Sequence, residues 1–377
     1  MCCVFPGGGN PMDERIALFM PSLAGGGAEK VMLNLGRGML ARGIEVDLVL
    51  VSAEGPYLAD VPQGINLVDL RARRVLTSLP GLMEYLKERR PKVLLSAQNH
   101  ANIIALWARR LSGSSARVAV SEHISLGESA RNASRWRDRI MPYAVKRFYP
   151  WSDDIIAVSR GVAEDLAGII GLPDHKIHTI YNPVVTPELL EKAEENINHP
   201  WFVSDKPPVI LGAGRLDRQK DFPTLIRAFA KLRERVPAKL VILGEGPKRT
   251  ELQSLIRSLG LEDEVDLPGF VNNPYAYMAK AGVFALSSAW EGLATVIIEA
   301  LACGLPVVST DCKSGPNEIL ENGKYGCLVP VGNSQGMANA LYDVLAAPHD
   351  LQVLRRRAED FSLDKIVDEY LNVLLAV

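Results

Sequence analysis

What this chain of 377 residues lacks narrows its role at once. Cysteine occurs five times, at Cys2, Cys3, Cys303, Cys312 and Cys327, with no ligand-like spacing. So sparse and odd a set is no disulfide framework and fits a reducing cytosol. The net charge of −2 leaves no global basic field, which argues against nucleic acid as a partner. No stretch reaches the ~18 uninterrupted apolar residues of a spanning helix, and no charged-then-apolar start resembles a secretion signal, so a cytoplasmic location is expected. A literal G-x-G-x-x-G is missing: Gly244-Glu245-Gly246 runs on to Arg249, and Gly212-Ala213-Gly214 to Asp217. A Walker A pattern and a G-x-S-x-G elbow are missing too, which weakens dehydrogenase, ATPase and serine-hydrolase readings. No two aspartates are separated by one residue, and the histidines show no metal-ligand spacing, so no metal site is expected.

What is present is globular: 47% apolar and 23% charged residues, at a length that favours two domains. Short β-rich runs (IALFMPS, EVDLVLV, KVLLSA, RVAVSEH, DIIAVS) alternate with helical patterns, the grammar of a parallel sheet with crossover helices. Gly27 to Gly43 carries Val31, Met32, Leu35, Met39 and Leu40 on one side at helical spacing. The grammar restarts with PVILGAGR, AKLVILGEG, EVDLPGF, GVFALSS and LPVVSTD. The proline-containing stretch Asn182 to Lys206 reads as a linker with a short helix. These signals predict a disordered leader at 1–11, an α/β domain at 12–199 and a second at 200–358. Leu363, Ile366, Val367, Tyr370, Leu371 and Leu374 predict a terminal amphipathic helix, about 359–377, able to pack back on the first domain.

Charge is uneven. Through residue 160 there are 21 Lys and Arg against 15 Asp and Glu, so the basic face belongs to the first domain. The most biased window runs from Arg131 to Arg147, with Trp136, Ile140, Met141, Tyr143, Val145 and Phe148 interleaved or adjacent. It reads either as a membrane-surface helix or as a solvated basic helix with a core side. Arg71 to Arg74 with Lys87 to Lys92 form a second basic cluster in sequence.

Ligands of open parallel sheets bind at the carboxyl ends of strands, where helix amino termini offer amide donors. Gly25-Gly26-Gly27 follows the first strand there, as an anion site or an ordinary tight turn. Gly212, Gly214, Arg215 and Lys220 follow the first strand of the second half, and a planar fork plus a point charge suit a diphosphate. More specific is Glu291-Gly292-Leu293-Ala294-Thr295-Val296-Ile297-Ile298-Glu299, where carboxylates flank an amide-rich helix start. Phosphate would sit between, with sugar hydroxyls at either end; a capped helix with two solvated acids is the plainer reading. His123, beside Glu122, ends a strand of the first sheet, and its position implies no general-base role.

Taken together, these residues resemble the retaining family 4 glycosyltransferases. The resemblance rests on Gly25-Gly26-Gly27-Ala28-Glu29, Ser121-Glu122-His123, Tyr181-Asn182-Pro183, Gly214-Arg215-Leu216 through Lys220-Asp221-Phe222, Gly244-Glu245-Gly246-Pro247 and Gly269-Phe270-Val271. It rests further on the Glu291 to Glu299 spacing, Ala302-Cys303-Gly304-Leu305-Pro306-Val307-Val308, and Gly323 through Gly326 before Leu328-Val329-Pro330. It implies an α/β GT-B fold, two Rossmann-like domains facing each other across a cleft. It implies that Arg215 and Lys220 bind the donor diphosphate, Glu291 the transferred sugar and Glu299 the ribose. Gly214 and the backbone of Gly292, Leu293, Ala294 and Thr295 would meet phosphate and sugar, and Phe270 and Val271 the base. His123 would approach the donor sugar, and Gly26 and Gly27 the acceptor and phosphates. Where the family more often has Phe-Pro, this chain has Leu293-Ala294. Ser314-Gly315-Pro316-Asn317-Glu318-Ile319 looks like a subgroup that extends lipid-linked or surface glycans from UDP-hexoses or UDP-N-acetylhexosamines.

The resemblance therefore implies a retaining hexosyltransferase with a nucleotide-sugar donor as substrate and no cofactor. A lipid-linked or glycan acceptor would give the 131–148 window a purpose at an anionic membrane surface, on the inner face of the cytoplasmic membrane. A UDP-sugar epimerase of the same architecture and a catalytically silent sugar-nucleotide or lipid-binding module are the competing readings.

Overall fold

The structure, a computed structural model, describes residues 15–133, 136–173, 176–203 and 206–376; the leader with Cys2 and Cys3 lies outside them. The chain divides into two compact units. One takes the residues up to Val158, Val162–Pro183 and the segment from Leu363; the other takes Ser159–Gly161 and Val184–Ser362.

The first unit is built on β1 (Arg15–Met20), β2 (Glu45–Leu50), β3 (Asn66–Asp69), β4 (Val93–Ala97), β5 (Arg117–Glu122), β6 (Asp154–Ala157) and β7 (His178–Thr179). They form one sheet in the order β3-β2-β1-β4-β5-β6-β7, every pair parallel. The central strands are buried throughout, as β4 shows over its whole length, because helices cover both faces. The expected helix forms over Gly27–Leu40 and buries Val31, Met32, Leu35 and Met39. The terminal helix, Leu363–Leu374, returns to this unit and drives Ile366, Val367, Tyr370, Leu371 and Leu374 into the same core. Each such side chain contributes about 1.5–3 kcal/mol by burial. Arg42 bonds Asp368 at 2.7 Å and fastens the helix at its rim.

The second unit holds β8 (Val209–Ala213), β9 (Lys239–Leu243), β10 (Val265–Gly269), β11 (Val283–Leu286), β12 (Val307–Thr310) and β13 (Cys327–Val329). Their order is β10-β9-β8-β11-β12-β13, again all parallel. The linker's short helix is Pro187–Ala193, whose start is capped by Thr186 Oγ1 accepting from Leu189 N at 3.2 Å.

Both sheets reverse their strand order once, between β1 and β4 and between β8 and β11. Loops leaving the carboxyl ends there diverge to opposite faces and open a crevice. One grouping from the sequence does not survive in space. Arg71–Arg74 follows the carboxyl end of β3, whereas Lys92 N bonds Arg15 O, at the amino end of β1. The helix Leu79–Arg89 between them, about 16 Å long at 1.5 Å per residue, carries the two basic runs to opposite ends of the sheet.

Candidate functional site

In the second unit the chain leaves β8 through Gly214 and leaves β9 through Gly244, and these loops touch. Gly214 N donates to Leu243 O at 2.9 Å, and Leu216 N to Glu245 O at 2.9 Å. Gly244 has φ +132°, and a Cβ there would lie 2.0 Å from Gly214 O. The paired Gly-x-Gly segments are thus explained by mutual backbone approach, with no dinucleotide needed. A Cβ on Gly214 would lie 2.8 Å from Lys220 Cε, so the glycine also makes room for the lysine stem to fold back over the strand end.

That fold-back places Lys220 Nζ 2.7 Å from Glu291 Oε1, across the reversal point between β8 and β11. The same oxygen accepts from Ser288 Oγ at 2.6 Å. Gln219 Nε2 donates to Trp290 O at 3.0 Å and reaches Glu291 Oε2 at 3.4 Å. The loops are tied further by Ser287 Oγ donating to Lys220 O and Ala289 N to Gln219 O, at 2.7 and 2.8 Å. Both members of the ion pair are mostly buried. Losing one partner of such a pair leaves a charge without compensation.

Arg215 differs. Its side chain is 74% exposed, with Asp217 Oδ2 3.9 Å from Nε, so the guanidinium is extended into solvent. Past Glu291 the chain turns through Gly292, Leu293 and Ala294, all buried, into the helix Thr295–Ala302, whose start no side chain caps. Thr295 N donates to Leu293 O at 2.7 Å and Ile297 N to Ala294 O at 2.9 Å, so what this start offers an anion is chiefly the partial positive charge of the helix end. Glu299 sits on that helix, half-buried, with Tyr275 Oη donating to Oε1 at 3.4 Å. The structure brings Lys220 and Glu291 into contact, while Glu299 has surroundings of its own. Phe270, 60% exposed, and half-buried Val271 follow β10 at the same sheet edge. Burial pushes the thiols of Cys303 and Cys312 up to about 12, so neither is a nucleophile at neutral pH.

In the first unit, the loops after β1 and β4 are joined by Gln98 Nε2 donating to Glu29 Oε1 at 3.0 Å. Gln98 adopts φ +75°, a conformation rare for a side-chain-bearing residue. Glu29 turns back over Gly26, where a Cβ would lie 2.3 Å from its Oε2; Gly27 faces open space.

His123 stands just past β5 in a largely buried polar cluster. Ser121 Oγ lies 3.1 Å from His123 Nε2 and 3.5 Å from Tyr370 Oη. Asn102 Nδ2 donates to Ser121 O at 3.0 Å and to Tyr149 Oη at 2.8 Å, and Tyr149 Oη donates to Glu122 Oε2 at 2.8 Å. Burial pushes the Glu122 carboxyl up to about 7 against the pull of these donors, and lowers the His123 imidazole to about 4. His123 is therefore neutral at pH 7. Its Nδ1, shut off from solvent, has no partner among the described residues.

Several of these residues were invisible in sequence. Tyr149 and Asn102 belong to no motif, and Tyr370 read only as one of the apolar positions of the terminal helix. Gln219 and Ser288 adjoin predicted residues, and the one available signal was polar side chains at a strand's carboxyl end.

The helix Trp136–Phe148 has two apolar sides. Met141 and Val145 are buried, while Trp136 is 66% and Tyr143 76% exposed, with Ile140 between them on the outer stripe. Arg137, Arg139, Lys146 and Arg147 are exposed around that stripe. Arg135, part of the same basic window, lies outside the described residues.

Comparison with known proteins agrees with this geometry. Residues 25–187 match the family described as Glycosyltransferase Family 4, and residues 193–361 match Glycosyl transferases group 1. The chain is 33% identical, over 96% of its length and all of the relative's, to N-acetylgalactosamine-N,N'-diacetylbacillosaminyl-diphospho-undecaprenol 4-alpha-N-acetylgalactosaminyltransferase of Campylobacter jejuni. It is 27% identical to the lipopolysaccharide core biosynthesis glycosyltransferase LpsE of Rhizobium meliloti, over 93% of this chain and 96% of that one. Among solved structures, Anabaena HepE in complex with UDP and glucose superposes with a TM-score of 0.78 at 20% identity, covering 96% of this chain and 99% of that one. Two Rossmann-like parallel sheets and full-length kinship lead to one conclusion: the chain belongs to the family 4 glycosyltransferases and has the GT-B fold.

Proposed function

We propose that this glycosyltransferase moves a hexose or N-acetylhexosamine from a UDP-sugar, with retention and without a metal ion, to a lipid-linked or glycan acceptor. The observation that carries this reading is the Lys220–Glu291 pair at the β8/β11 reversal, with Arg215 extended into solvent after β8 and an uncapped helix start after β11. In it, Arg215 and Lys220 take the diphosphate oxygens, assisted by amides of Gly292 to Thr295 and by Gly214, whose lack of a side chain lets the phosphates approach. Glu291 accepts hydrogen bonds from the transferred sugar, Glu299 from the ribose, and Phe270 and Val271 cover the uracil. His123 meets the donor sugar, while Gly26 and Gly27 lie on the acceptor side.

As the glycosyl bond lengthens, negative charge gathers on the departing diphosphate. Preorganised cations and amides stabilise that charge more than the ground state, which is where most catalytic power usually arises. The acceptor hydroxyl attacks on the face the diphosphate leaves, and the departing phosphate oxygen takes its proton. Among the described residues no three His, Cys, Asp or Glu side chains gather as a metal site would require. Support for the acceptor comes from the Campylobacter relative, whose name specifies a diphospho-undecaprenol-linked saccharide. The outward Trp136, Ile140 and Tyr143 with flanking arginines suit an anionic leaflet, each basic residue contributing about 1 kcal/mol near its surface. Among the described residues no helix is long and apolar enough to cross a membrane.

Transfer from a panel of UDP-sugars to undecaprenyl-diphosphate-linked saccharides, followed by NMR of the new linkage, tests the chemistry. An α-linkage from an α-donor, formed in EDTA, is expected; inversion, or activity abolished by EDTA, contradicts it. Flotation with anionic vesicles at low salt tests the surface. Binding lost in Trp136→Ser/Ile140→Ser/Tyr143→Ser is expected, and a wild type that stays with the soluble fraction contradicts it.

A further inference from the structure

The strand β11 runs straight into two serines, Ser287 and Ser288, which are 1% and 0% exposed. A buried hydroxyl without a partner is costly, and each of these has one. Ser287 Oγ donates to Lys220 O at 2.7 Å, and Ser288 Oγ to Glu291 Oε1 at 2.6 Å. A carbonyl and an ionised carboxylate can only accept, so the partners fix the direction of both bonds. The second falls in the range of a charge-assisted O–H···O⁻ bond. Each serine thus holds one member of the Lys220–Glu291 pair. The serines are anchored in turn: Ser288 O accepts from Thr310 Oγ1, at the end of β12, at 2.6 Å, and Ala289 N donates to Gln219 O at 2.8 Å.

The donors are divided unevenly between the carboxylate oxygens. Oε1 takes Lys220 Nζ at 2.7 Å as well as Ser288 Oγ, one donor for each of its two lone pairs. Oε2 has only Gln219 Nε2 at 3.4 Å among the described residues, and the shorter bond of that amide, 3.0 Å, goes to Trp290 O. The remaining acceptor capacity of Glu291 therefore lies on Oε2, on a side chain that stays 8% exposed.

We propose that Ser287 and Ser288 are positioning residues, one for each half of the pair: Ser287 fixes the main chain beneath Lys220, and Ser288 holds the Glu291 carboxylate with Oε1 occupied and Oε2 left for a hydroxyl of the transferred sugar. This rests on the reading above, in which Lys220 meets the diphosphate and Glu291 the sugar. Neither serine touches the donor. Two adjacent residues thereby divide recognition of the donor between its charged and its neutral part.

Each serine should fail in its own way. Calorimetry of the full chain with UDP, UDP-glucose, UDP-galactose, UDP-N-acetylglucosamine and UDP-N-acetylgalactosamine gives the affinity of the tightest sugar relative to UDP. Ser288→Ala is expected to lower that ratio about tenfold, the loss of one hydrogen bond to a charged group, with UDP itself held within about twofold. Ser288→Thr, which keeps the hydroxyl, should restore it. Ser287→Ala, acting through Lys220, should leave the ratio unchanged and lower kcat about tenfold. In a Glu291→Gln background Ser288→Ala should alter the ratio no further, and the two changes should be non-additive in urea unfolding. Additive unfolding costs, or a ratio indifferent to Ser288→Ala but lost in Glu291→Gln, overturns the role of Ser288. A ratio that falls in Ser287→Ala overturns the division between the serines. Coupled unfolding costs with a ratio indifferent to Glu291→Gln leave the serine–carboxylate bond standing and overturn the placement of Glu291 at the sugar. Binding of none of the four sugars overturns the UDP-sugar reading itself.

Discussion

The two sheets reverse at equivalent places, and each ties its reversal with one pair of side chains, but the pairs differ in charge. In the second unit Lys220 and Glu291 form a mostly buried ion pair, completed by Ser288 and Gln219. In the first, Gln98 and Glu29 pair an amide with a carboxylate, and the nearby His123 is neutral. One topology thus supports a reversal tied by a mostly buried ion pair and another tied by an amide–carboxylate hydrogen bond. In the proposed function Arg215 and Lys220 meet the diphosphate, and Gly26 and Gly27 lie on the acceptor side.

Breaking the charged tie should have the largest effect. Lys220→Ala is expected to lower kcat by on the order of 10²–10³, with a smaller loss of donor affinity, read by steady-state kinetics and calorimetry. Because it orphans buried Glu291, it should also cost about 3–5 kcal/mol in denaturant unfolding. Lost affinity with unchanged kcat would place Lys220 in ground-state binding alone, and equal losses in both, or none, would count against the proposed role. Gln98→Ala, by contrast, leaves a carboxylate short of one neutral donor and should cost only about 1–2 kcal/mol. If it destabilises as much as Lys220→Ala, the distinction between the two reversals fails.

Arg215→Ala sharpens the comparison within the charged crevice. The side chain is exposed and structurally idle, so stability should stay within about 0.5 kcal/mol of wild type. Transfer should nonetheless fall at least tenfold, since a charged contact to phosphate is lost. Unchanged kinetics would remove Arg215 from the site.

The last test is the pH dependence of the cluster around His123. Glu122 is raised from its ordinary 4.5 to about 7 by burial, so between those values the folded chain binds more protons than the unfolded one. Stability contributed by this group therefore falls as pH rises through that window and is flat above it. Relative to Glu122→Gln, the wild type should lose on the order of 1–3 kcal/mol between pH 5 and pH 8 in urea unfolding. A constant difference across that range would show that Glu122 is ionised throughout.

Most strands were legible because the central ones are buried on both faces and read as apolar runs, as VILGA of β8 does. The edge strands β3, β7 and β13 were not, since Asn66–Asp69 is largely exposed and His178–Thr179 spans only two residues. An edge need not be apolar, so a short one can leave no pattern, although β10, also at an edge, was legible. In the site, Lys220 and Glu291 were legible one at a time from their places after strands. Their contact was not, because 71 residues separate them and only the sheet order makes their loops neighbours. The Tyr149 and Tyr370 hydroxyls were hidden for a related reason: an aromatic residue on the inner face of a helical or turn segment announces packing, and only the fold shows what its oxygen meets.

The most direct test is a crystal structure of the UDP complex grown in EDTA. The diphosphate is expected within hydrogen-bond distance of Arg215, Lys220 and the first amides of the helix Thr295–Ala302. UDP bound away from these groups, or bound only once a divalent ion is restored, would contradict the claim that this chain's own cations neutralise the leaving group.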